Sequence, residues 1–209
     1  MAFTYFFRDV ETLRLIARGV LPALRGYQHI DVWDAGCAHG PEPFSLAITL
    51  AENVSHFVFR NVRIFATDID TTGQFAEAIA AGAYPEREIK RIPPHIRRRY
   101  FGPPDEAGRC LIDERIRARV EFIKHDLLSL EPVRSGMSLI VCKNVLLHFG
   151  QQQRADVVRM FHRALRKDGF LVTEQTQRLP GPAEGLFEKV TCEGQIFRKL
   201  PGRAGRLAA

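Results

Sequence analysis

Hydrophobic and polar positions along the chain follow two alternating patterns. In residues 9–24 the apolar positions recur at steps of three and four, which predicts an amphipathic helix with Asp9 as its N-cap. Residues 30–35 form a nearly continuous apolar run, typical of a buried strand. Pro41 then stands where a first helical residue is favoured, and this helix is expected to continue to about residue 53.

The same alternation continues along the chain. Strands are predicted at residues 62–67, 120–124, 138–142 and 170–174, and helices at residues 71–81 and 151–166. Asp168 and Gly169 are expected to end the last helix, and residues 187–191 and 195–199 to pair as a hairpin. This order predicts an α/β fold with a doubly wound, mostly parallel sheet. Its ligand is expected at the carboxyl ends of the strands.

One stretch, residues 85–119, interrupts the alternation. It holds five prolines. From residue 87 to 119 it has ten Lys or Arg against five Asp or Glu, a local excess that accounts for most of the net charge of +6 of the whole chain. We expect short helices and a basic, irregular excursion within one domain of residues 1–200, followed by a flexible tail at 201–209. The charges indicate a solvated face, or contact with phosphates or an acidic protein. Nucleic acid is not expected, because aromatic residues do not interleave with the charges.

Composition limits the class of protein further. With 45% hydrophobic and 26% charged residues, the chain has the make-up of a globular protein. No apolar run approaches the roughly 20 residues that span a bilayer, so we expect a cytoplasmic protein without membrane insertion. The four cysteines are far apart and form no CxxC pair, which predicts reduced thiols and no metal site.

Small residues follow the first predicted strand, in the order Gly36-Cys37-Ala38-His39-Gly40. They allow a sharp backbone turn and the close approach of a ligand. The spacing differs from the glycine pattern of dinucleotide enzymes. Asp68, which follows the second strand, can accept hydrogen bonds from both ribose hydroxyls, and Asp126 can accept one from an adenine amino group. These strand ends together predict a nucleoside site.

Several stretches of the chain, in order, resemble the CheR family of chemotaxis receptor methyltransferases. The matching stretches are residues 4–9, 33–45, 66–70, 82–84, 99–101, 125–128 and 142–149. The resemblance implies a class I, Rossmann-like methyltransferase fold. It also implies methyl transfer from S-adenosylmethionine to glutamate carboxylates of an acidic or glutamate-bearing protein, such as a chemoreceptor, with S-adenosylhomocysteine as the product.

The resemblance also implies roles for individual residues. Thr4 and Arg8 would meet the methionine end of the cofactor, with Arg8 gripping its carboxylate, and Glu42 would face its amine. Asp68 would hold the ribose. The other expected cofactor contacts are Gly36, Cys37, Ala38, Asp126, Leu127, Cys142, Lys143 and Asn144. The candidate catalytic residues are Arg8, Lys143 and His148.

Some positions depart from the family pattern. Pro41-Glu42 replaces two acids, Asp126 an asparagine, Lys143 an arginine and His148 a tyrosine. An ionised glutamate acceptor needs no general base, whereas a hydroxyl or amine acceptor does, and a histidine can be that base. Three hypotheses therefore stay open: a protein-glutamate methyltransferase, a methyltransferase for a small molecule or another side chain with His148 as base, and a non-catalytic cofactor-binding sensor or scaffold. The strand insertion that docks receptor tails in some members is expected to be short here, within residues 102–119.

Overall fold

A computed structural model describes residues 4–176 and 178–201 of the chain. Within these residues it has ten strands. They are β1 (Ile30–Ala35), β2 (Val62–Asp68), β3 (Ala83–Pro85), β4 (Phe101–Pro104), β5 (Arg109–Ile112), β6 (Val120–Lys124), β7 (Met137–Cys142), β8 (Leu165–Thr173), β9 (Phe187–Lys189) and β10 (Ile196–Lys199). Seven of them form one sheet in the order β6-β2-β1-β7-β8-β10-β9.

The first five strands of this order run parallel, and the closing hairpin is antiparallel. Strand β1 lies near the centre, where Trp33 pairs in register with Phe65 on one side and Ile140 on the other. Its run of apolar residues is buried on both faces of the sheet, as is usual for parallel strands. The mostly parallel α/β sheet and the C-terminal hairpin predicted from the sequence are confirmed.

Helices cover both faces of the sheet. They are α1 (Val10–Leu15), α2 (Leu21–Leu24), α3 (Pro41–Asn53), α4 (His56–Phe59), α5 (Gln74–Ala81), α6 (Glu86–Ile89), α7 (Pro94–Tyr100), α8 (Glu114–Arg117), α9 (Gln151–Ala164) and α10 (Gly181–Glu184). Helix α3 has the predicted bounds and starts at Pro41, directly after Gly40 with its positive φ of 101°. The core consists of two apolar clusters, one on each face of the sheet.

The first helix begins after Asp9 as predicted, although without a capping bond from its side chain, whereas the predicted end of the helix at residues 151–166 was wrong. Asp9 precedes α1 in the left-handed conformation and makes no capping bond, because its carboxylate pairs with Lys143 instead. Asp168 and Gly169 lie inside β8, and the preceding helix already ends at Ala164. The pair forms an irregularity against β7, where a side chain on Gly169 would come within 3.0 Å of the Met137 carbonyl oxygen. The positive φ of 60° at Asp168 therefore serves a strand irregularity rather than a helix end.

The predicted single helix over residues 9–24 is also interrupted. A π-helical turn, Ile16–Val20, lies between α1 and α2. Pro22 explains why a regular α-helix does not continue, since it has no amide hydrogen to donate to the carbonyl of Arg18. The buried face is nevertheless maintained, because Leu13, Ile16 and Leu24 all reach the core.

The stretch at residues 85–119 is more ordered than predicted. It contains the short helices α6, α7 and α8, as expected, but β5 also pairs with β3 and with β4 in a three-stranded antiparallel sheet. This small sheet and its helices, residues 83–117, are called the insertion below. Several basic residues of the insertion pair with acids, namely Arg99 with Glu52, Arg109 with Asp105, Arg115 with Asp113 and Arg117 with Glu114.

Two further observations concern the described part of the chain. In residues 4–176 and 178–201, no helix has the length and apolar character needed to cross a membrane. Cys37, Cys110 and Cys142 are buried free thiols, and Cys192 is an exposed one. The predicted tail lies outside the described residues from residue 202 onward.

Candidate cofactor site

A cavity of about 570 Å³ lies at the carboxyl ends of β1, β2, β6 and β7. Most residues predicted for the site from the sequence line it. They are Thr4, Arg8, Gly36, Ala38, Glu42, Asp68, Asp126, Leu127, Lys143, Asn144 and His148. The sheet brings them together because parallel strands all end at the same edge.

Two predicted residues do not line the cavity. The side chains of Cys37 and Cys142 are fully buried in the protein core beneath it. Burial raises the pKa of both thiols, so they stay protonated at neutral pH. Cys37 contributes its backbone instead, since its N–H and that of Gly36 both donate to the Thr67 carbonyl, at 3.0 and 2.8 Å.

Several cavity residues were not singled out from the sequence. They are Thr67, Ile69, His125, Leu128, Val145, Leu147 and Phe149. Each lies within two residues of a predicted one, so proximity to the strand ends is the signal by which they could have been found. Of these, His125 has the most distinct polar arrangement. Its Nε2 donates to the Glu131 carbonyl at 2.9 Å, which leaves Nδ1 as a buried acceptor with no partner among the described residues.

The glycine loop, residues 36–40, has the left-handed backbone that its small residues allow. Gly36 and Gly40 have φ of 109° and 101°, and Ala38 has φ of 47°. A side chain on Gly36 would come within 2.1 Å of the Val145 side chain. A side chain on Gly40 would come within 2.4 Å of the Tyr84 hydroxyl. The loop therefore needs glycine both for its conformation and for close packing.

Asp68 joins the ends of two strands. One of its carboxyl oxygens accepts from the Ala38 N–H at 3.0 Å and the other from the Ile69 N–H at 2.8 Å. Each oxygen of a carboxylate can accept a second hydrogen bond. The carboxylate is thus fixed against the glycine loop with acceptor capacity left for a ligand. Asp126 is held similarly at the next strand end, where it accepts from the Leu128 N–H at 2.8 Å.

The segment before α1 forms one wall of the cavity, and two contacts anchor it. Phe6 is buried between the rings of Tyr84 and Phe101, with centroid distances of 4.9 and 5.4 Å. The Phe7 N–H donates to Ser45 Oγ on α3 at 2.8 Å. Because Thr4 and Arg8 flank these anchors, the packing of the segment against the insertion and α3 sets where both residues face the cavity.

The deep end of the cavity is a cluster of charged side chains. The Lys143 ammonium is almost fully buried and lies 3.0 Å from Glu42 Oε2 and 3.3 Å from Asp9 Oδ2. Burial alone would lower the pKa of Lys143, but the Glu42 and Asp9 carboxylates outweigh it and the pKa is raised. Lys143 is therefore charged. The second oxygen of Glu42, Oε1, is buried with no hydrogen-bond partner among the described residues.

Asp34, at the base of this cluster, was not predicted as a site residue. It is completely buried in β1, and within the described parts of the chain no hydrogen-bond donor reaches either of its carboxyl oxygens. The polar group beside it is the Glu42 carboxyl group. Burial raises the pKa of Asp34 well above its ordinary value, and the nearby Glu42 carboxylate raises it further. Burial and the neighbouring Glu42 carboxylate thus both disfavour the ionised form of Asp34.

The mouth of the cavity is apolar and exposed. Ile69, Leu128 and Leu147 lie there with 53%, 40% and 47% of their surfaces exposed, and His148 is also exposed. Asn144 holds the backbone at this side in the left-handed conformation, with its N–H donating to the buried Glu174 carboxylate. The acceptor side of the cavity thus opens to solvent between apolar side chains.

The residues of the cavity fit S-adenosylmethionine. The Glu42 carboxylate, which lines the cavity, is suited to a cationic amine, and Asp68 has acceptor capacity suited to ribose hydroxyls. Arg8 is suited to the methionine carboxylate. The cavity therefore holds a donor and acceptors of the kinds that this cofactor requires.

Comparison with known proteins gives a family. The family described as CheR methyltransferase, SAM binding domain, matches residues 2–196. Chemotaxis protein methyltransferase 1 of Pseudomonas aeruginosa is 30% identical over 207 residues, which cover 93% of this chain and 73% of that protein. A probable chemotaxis protein methyltransferase of Rhizobium etli is 26% identical over 194 residues, which cover 90% of this chain and 72% of that protein.

Among solved structures, a TehB-like SAM-dependent methyltransferase of Corynebacterium glutamicum is similar with a TM-score of 0.47 and 15% identity, over 91% of this chain and 93% of that chain. The family match includes every cavity-lining residue. The class I methyltransferase fold and the S-adenosylmethionine cofactor implied by the resemblance are confirmed. The chain belongs to the CheR methyltransferase family, and it is an S-adenosylmethionine-dependent methyltransferase domain.

Proposed function

We propose that this domain methylates glutamate carboxylates of a protein substrate of the chemoreceptor type, in the cytoplasm. The observation that carries the proposal is the shape of the cavity, which is polar at its deep end and opens to solvent between exposed apolar side chains. A site for a small acceptor would be expected to enclose it, whereas this mouth leaves room for part of a macromolecule. The names of the relatives, chemotaxis protein methyltransferases, support the same substrate class.

In this proposal, most of the lining residues bind and orient the cofactor. Bound S-adenosylmethionine supplies an electrophilic methyl group on its sulfonium. Arg8 binds the carboxylate of the methionine part, Glu42 accepts from its amine, and Asp68 accepts from the ribose hydroxyls. Asp126, Leu127 and the glycine loop would hold the adenine. Lys143 holds the Glu42 carboxylate in place through their contact at 3.0 Å.

A glutamate acceptor suits the residues near the mouth. Its carboxylate has an ordinary pKa of about 4.3 and is ionised at neutral pH, so the protein has only to position it in line with the methyl group. The Lys143 ammonium is tied to Glu42 and Asp9 and stays protonated, so it cannot serve as a base. His148 is exposed at the mouth, where it can hydrogen-bond the acceptor carboxylate.

The experiment is transfer of a radiolabelled methyl group from S-adenosylmethionine to a chemoreceptor cytoplasmic fragment. We expect label that is released by mild alkali, as an ester is, and that is lost when the acceptor glutamates are replaced by alanine. Asp68→Asn should abolish labelling, whereas the matched control Asp105→Asn, an acid of the insertion that pairs with Arg109, should not.

Other outcomes would contradict the proposal in distinct ways. Alkali-stable label that disappears in His148→Asn would favour an acceptor that needs a base. Tight binding of S-adenosylhomocysteine with no transfer to any acceptor would favour a sensor or scaffold.

A further inference from the structure

We propose that Asp34 is a positioning residue that couples cofactor binding to proton release: occupation of the amine site at Glu42 expels the proton that Asp34 holds in the free protein. The inference rests on the proposed placement of the methionine amine at Glu42. It assigns a role to a residue that does not itself line the cavity.

The geometry around Asp34 supports this role. Asp34 is fully buried on β1, and among residues 4–176 and 178–201 no hydrogen-bond donor reaches either of its oxygens, so the group it can bond as an acid is the neighbouring Glu42 carboxylate. Such an arrangement is costly unless the group is neutral or acquires a partner. Glu42 both neighbours Asp34 and lines the cavity, and its Oε1 is buried with no hydrogen-bond partner among the described residues. Two carboxyl groups with unused acceptors, one behind the other, indicate a site that is completed by a cation.

The charged groups around Asp34 come from every neighbouring element. Glu42 on α3 and Asp68 at the end of β2 oppose its ionisation, and Lys143 after β7 favours it. Asp9, before α1, acts on Asp34 indirectly through Lys143. The thiols beside it, Cys37 and Cys142, have raised pKa values and are neutral. In the free protein the balance favours the protonated form of Asp34.

Cofactor binding changes this balance in one direction. An ammonium beside Glu42 offsets the negative charge that opposes ionisation of Asp34. Filling the cavity also removes water, which by itself would favour the neutral acid. Asp34 is already at 0% exposure, so little water remains to be lost and the added positive charge decides the outcome. The proton leaves to solvent or buffer, and the carboxylate that remains stabilises the Lys143 and cofactor ammonium groups.

The proposal is tested by titration calorimetry with S-adenosylhomocysteine in buffers of different ionisation enthalpy, from pH 5.5 to 9. We expect release of a substantial fraction of one proton per bound ligand within part of this range, with affinity rising with pH over the same part. Asp34→Asn should bind with little proton release. Asp31→Asn, a matched change three residues earlier on β1, should behave as the wild type. His125 and His148 also line the cavity, but they are present in all three proteins, so they cannot produce the difference.

A second probe tests the wild type alone, so the result does not depend on how well a variant folds. The nucleoside 5′-methylthioadenosine lacks the amine and carboxylate, and we expect it to bind without the proton release. Equal release with both ligands, or none with S-adenosylhomocysteine at any pH, would overturn the role of Asp34. Failure of S-adenosylhomocysteine to bind at all would instead refute the proposed function.

Discussion

Replacing Phe6 by alanine tests whether the segment before α1 is held in place by its packing. Phe6 is buried against Tyr84 and Phe101, and loss of a buried phenylalanine typically costs about 3–5 kcal/mol. Each edge-to-face ring pair accounts for about 0.5–1.5 kcal/mol of such a loss. Of the anchors that remain, the hydrogen bond from the Phe7 N–H to Ser45 contributes only about 0.5–1.5 kcal/mol. The ion pair of Asp9 with Lys143 holds the end of the segment next to α1.

We therefore expect the segment to detach from the cavity wall in Phe6→Ala while the main sheet stays folded. The cofactor would lose its contact with Arg8, a charge-assisted hydrogen bond of about 1.5–3 kcal/mol. This corresponds to binding of S-adenosylhomocysteine weakened on the order of 10- to 100-fold. Calorimetry gives the affinity, and hydrogen exchange of residues 4–9 reports the detachment.

Phe57→Ala is the matched control, since Phe57 is 77% exposed and far from the ring cluster in sequence. It should leave both measurements unchanged. An affinity of Phe6→Ala within about twofold of the wild type, less than 0.5 kcal/mol, would refute the reasoning, because the position of Arg8 would then not depend on the buried ring.

Three further predictions concern the loop and the buried acid. Gly36→Ala should lower the free energy of unfolding in urea by more than Gly73→Ala. Both positions have positive φ, so alanine costs about 1–3 kcal/mol of backbone strain at each. Only at Gly36 would the added Cβ also come within 2.1 Å of another side chain, that of Val145. Equal losses would contradict this. Tyr84→Phe should cost about 0.5–1.5 kcal/mol in the same assay, since it removes the 2.7 Å hydrogen bond to the His39 carbonyl, and no loss would refute that role. Asp34 has a raised pKa in the folded state, so the folded protein binds one proton more than the unfolded chain, and stability due to this group falls as pH rises above about 4. The free energy of unfolding of Asp34→Asn should therefore rise relative to that of the wild type as the pH is raised from 4 to 8. A difference between the two proteins that does not change with pH would contradict this prediction.

The main sheet was predictable because its strands are apolar runs with clear ends. Residues 30–35 and 41–53 were predicted with the bounds that the structure has. The failures arose where a local signal had two meanings. Asp168-Gly169 is equally suited to a helix end and to a strand irregularity, and only the nearby β7 backbone decides between them. The strands of the insertion have three or four residues, too few to show a periodicity.

The site was predictable in outline for a similar reason. Carboxylates at strand ends meet at one edge of a parallel sheet, so Asp68 and Asp126 could be placed together from their positions alone. The ion pair between Asp9 and Lys143 joins residues far apart in the chain, and no local pattern indicates it. The burial of Asp34 could not be predicted either, because the sequence of an apolar strand does not show whether a single acid in it faces solvent or the core.

The insertion has a consequence for how the domain can be altered. Tyr84, on its first strand, supports the glycine loop through the His39 carbonyl and also packs on Phe6, which anchors the opposite cavity wall. The insertion, the glycine loop and this cavity wall are therefore all in contact with Tyr84 or Phe6, so a change in one affects the others. Grafting the insertion of a relative onto this chain to redirect its partner choice would also transplant part of the cofactor site. Such a chimaera should retain its activity only if Phe6 and Tyr84, or an equivalent matched pair, are exchanged together.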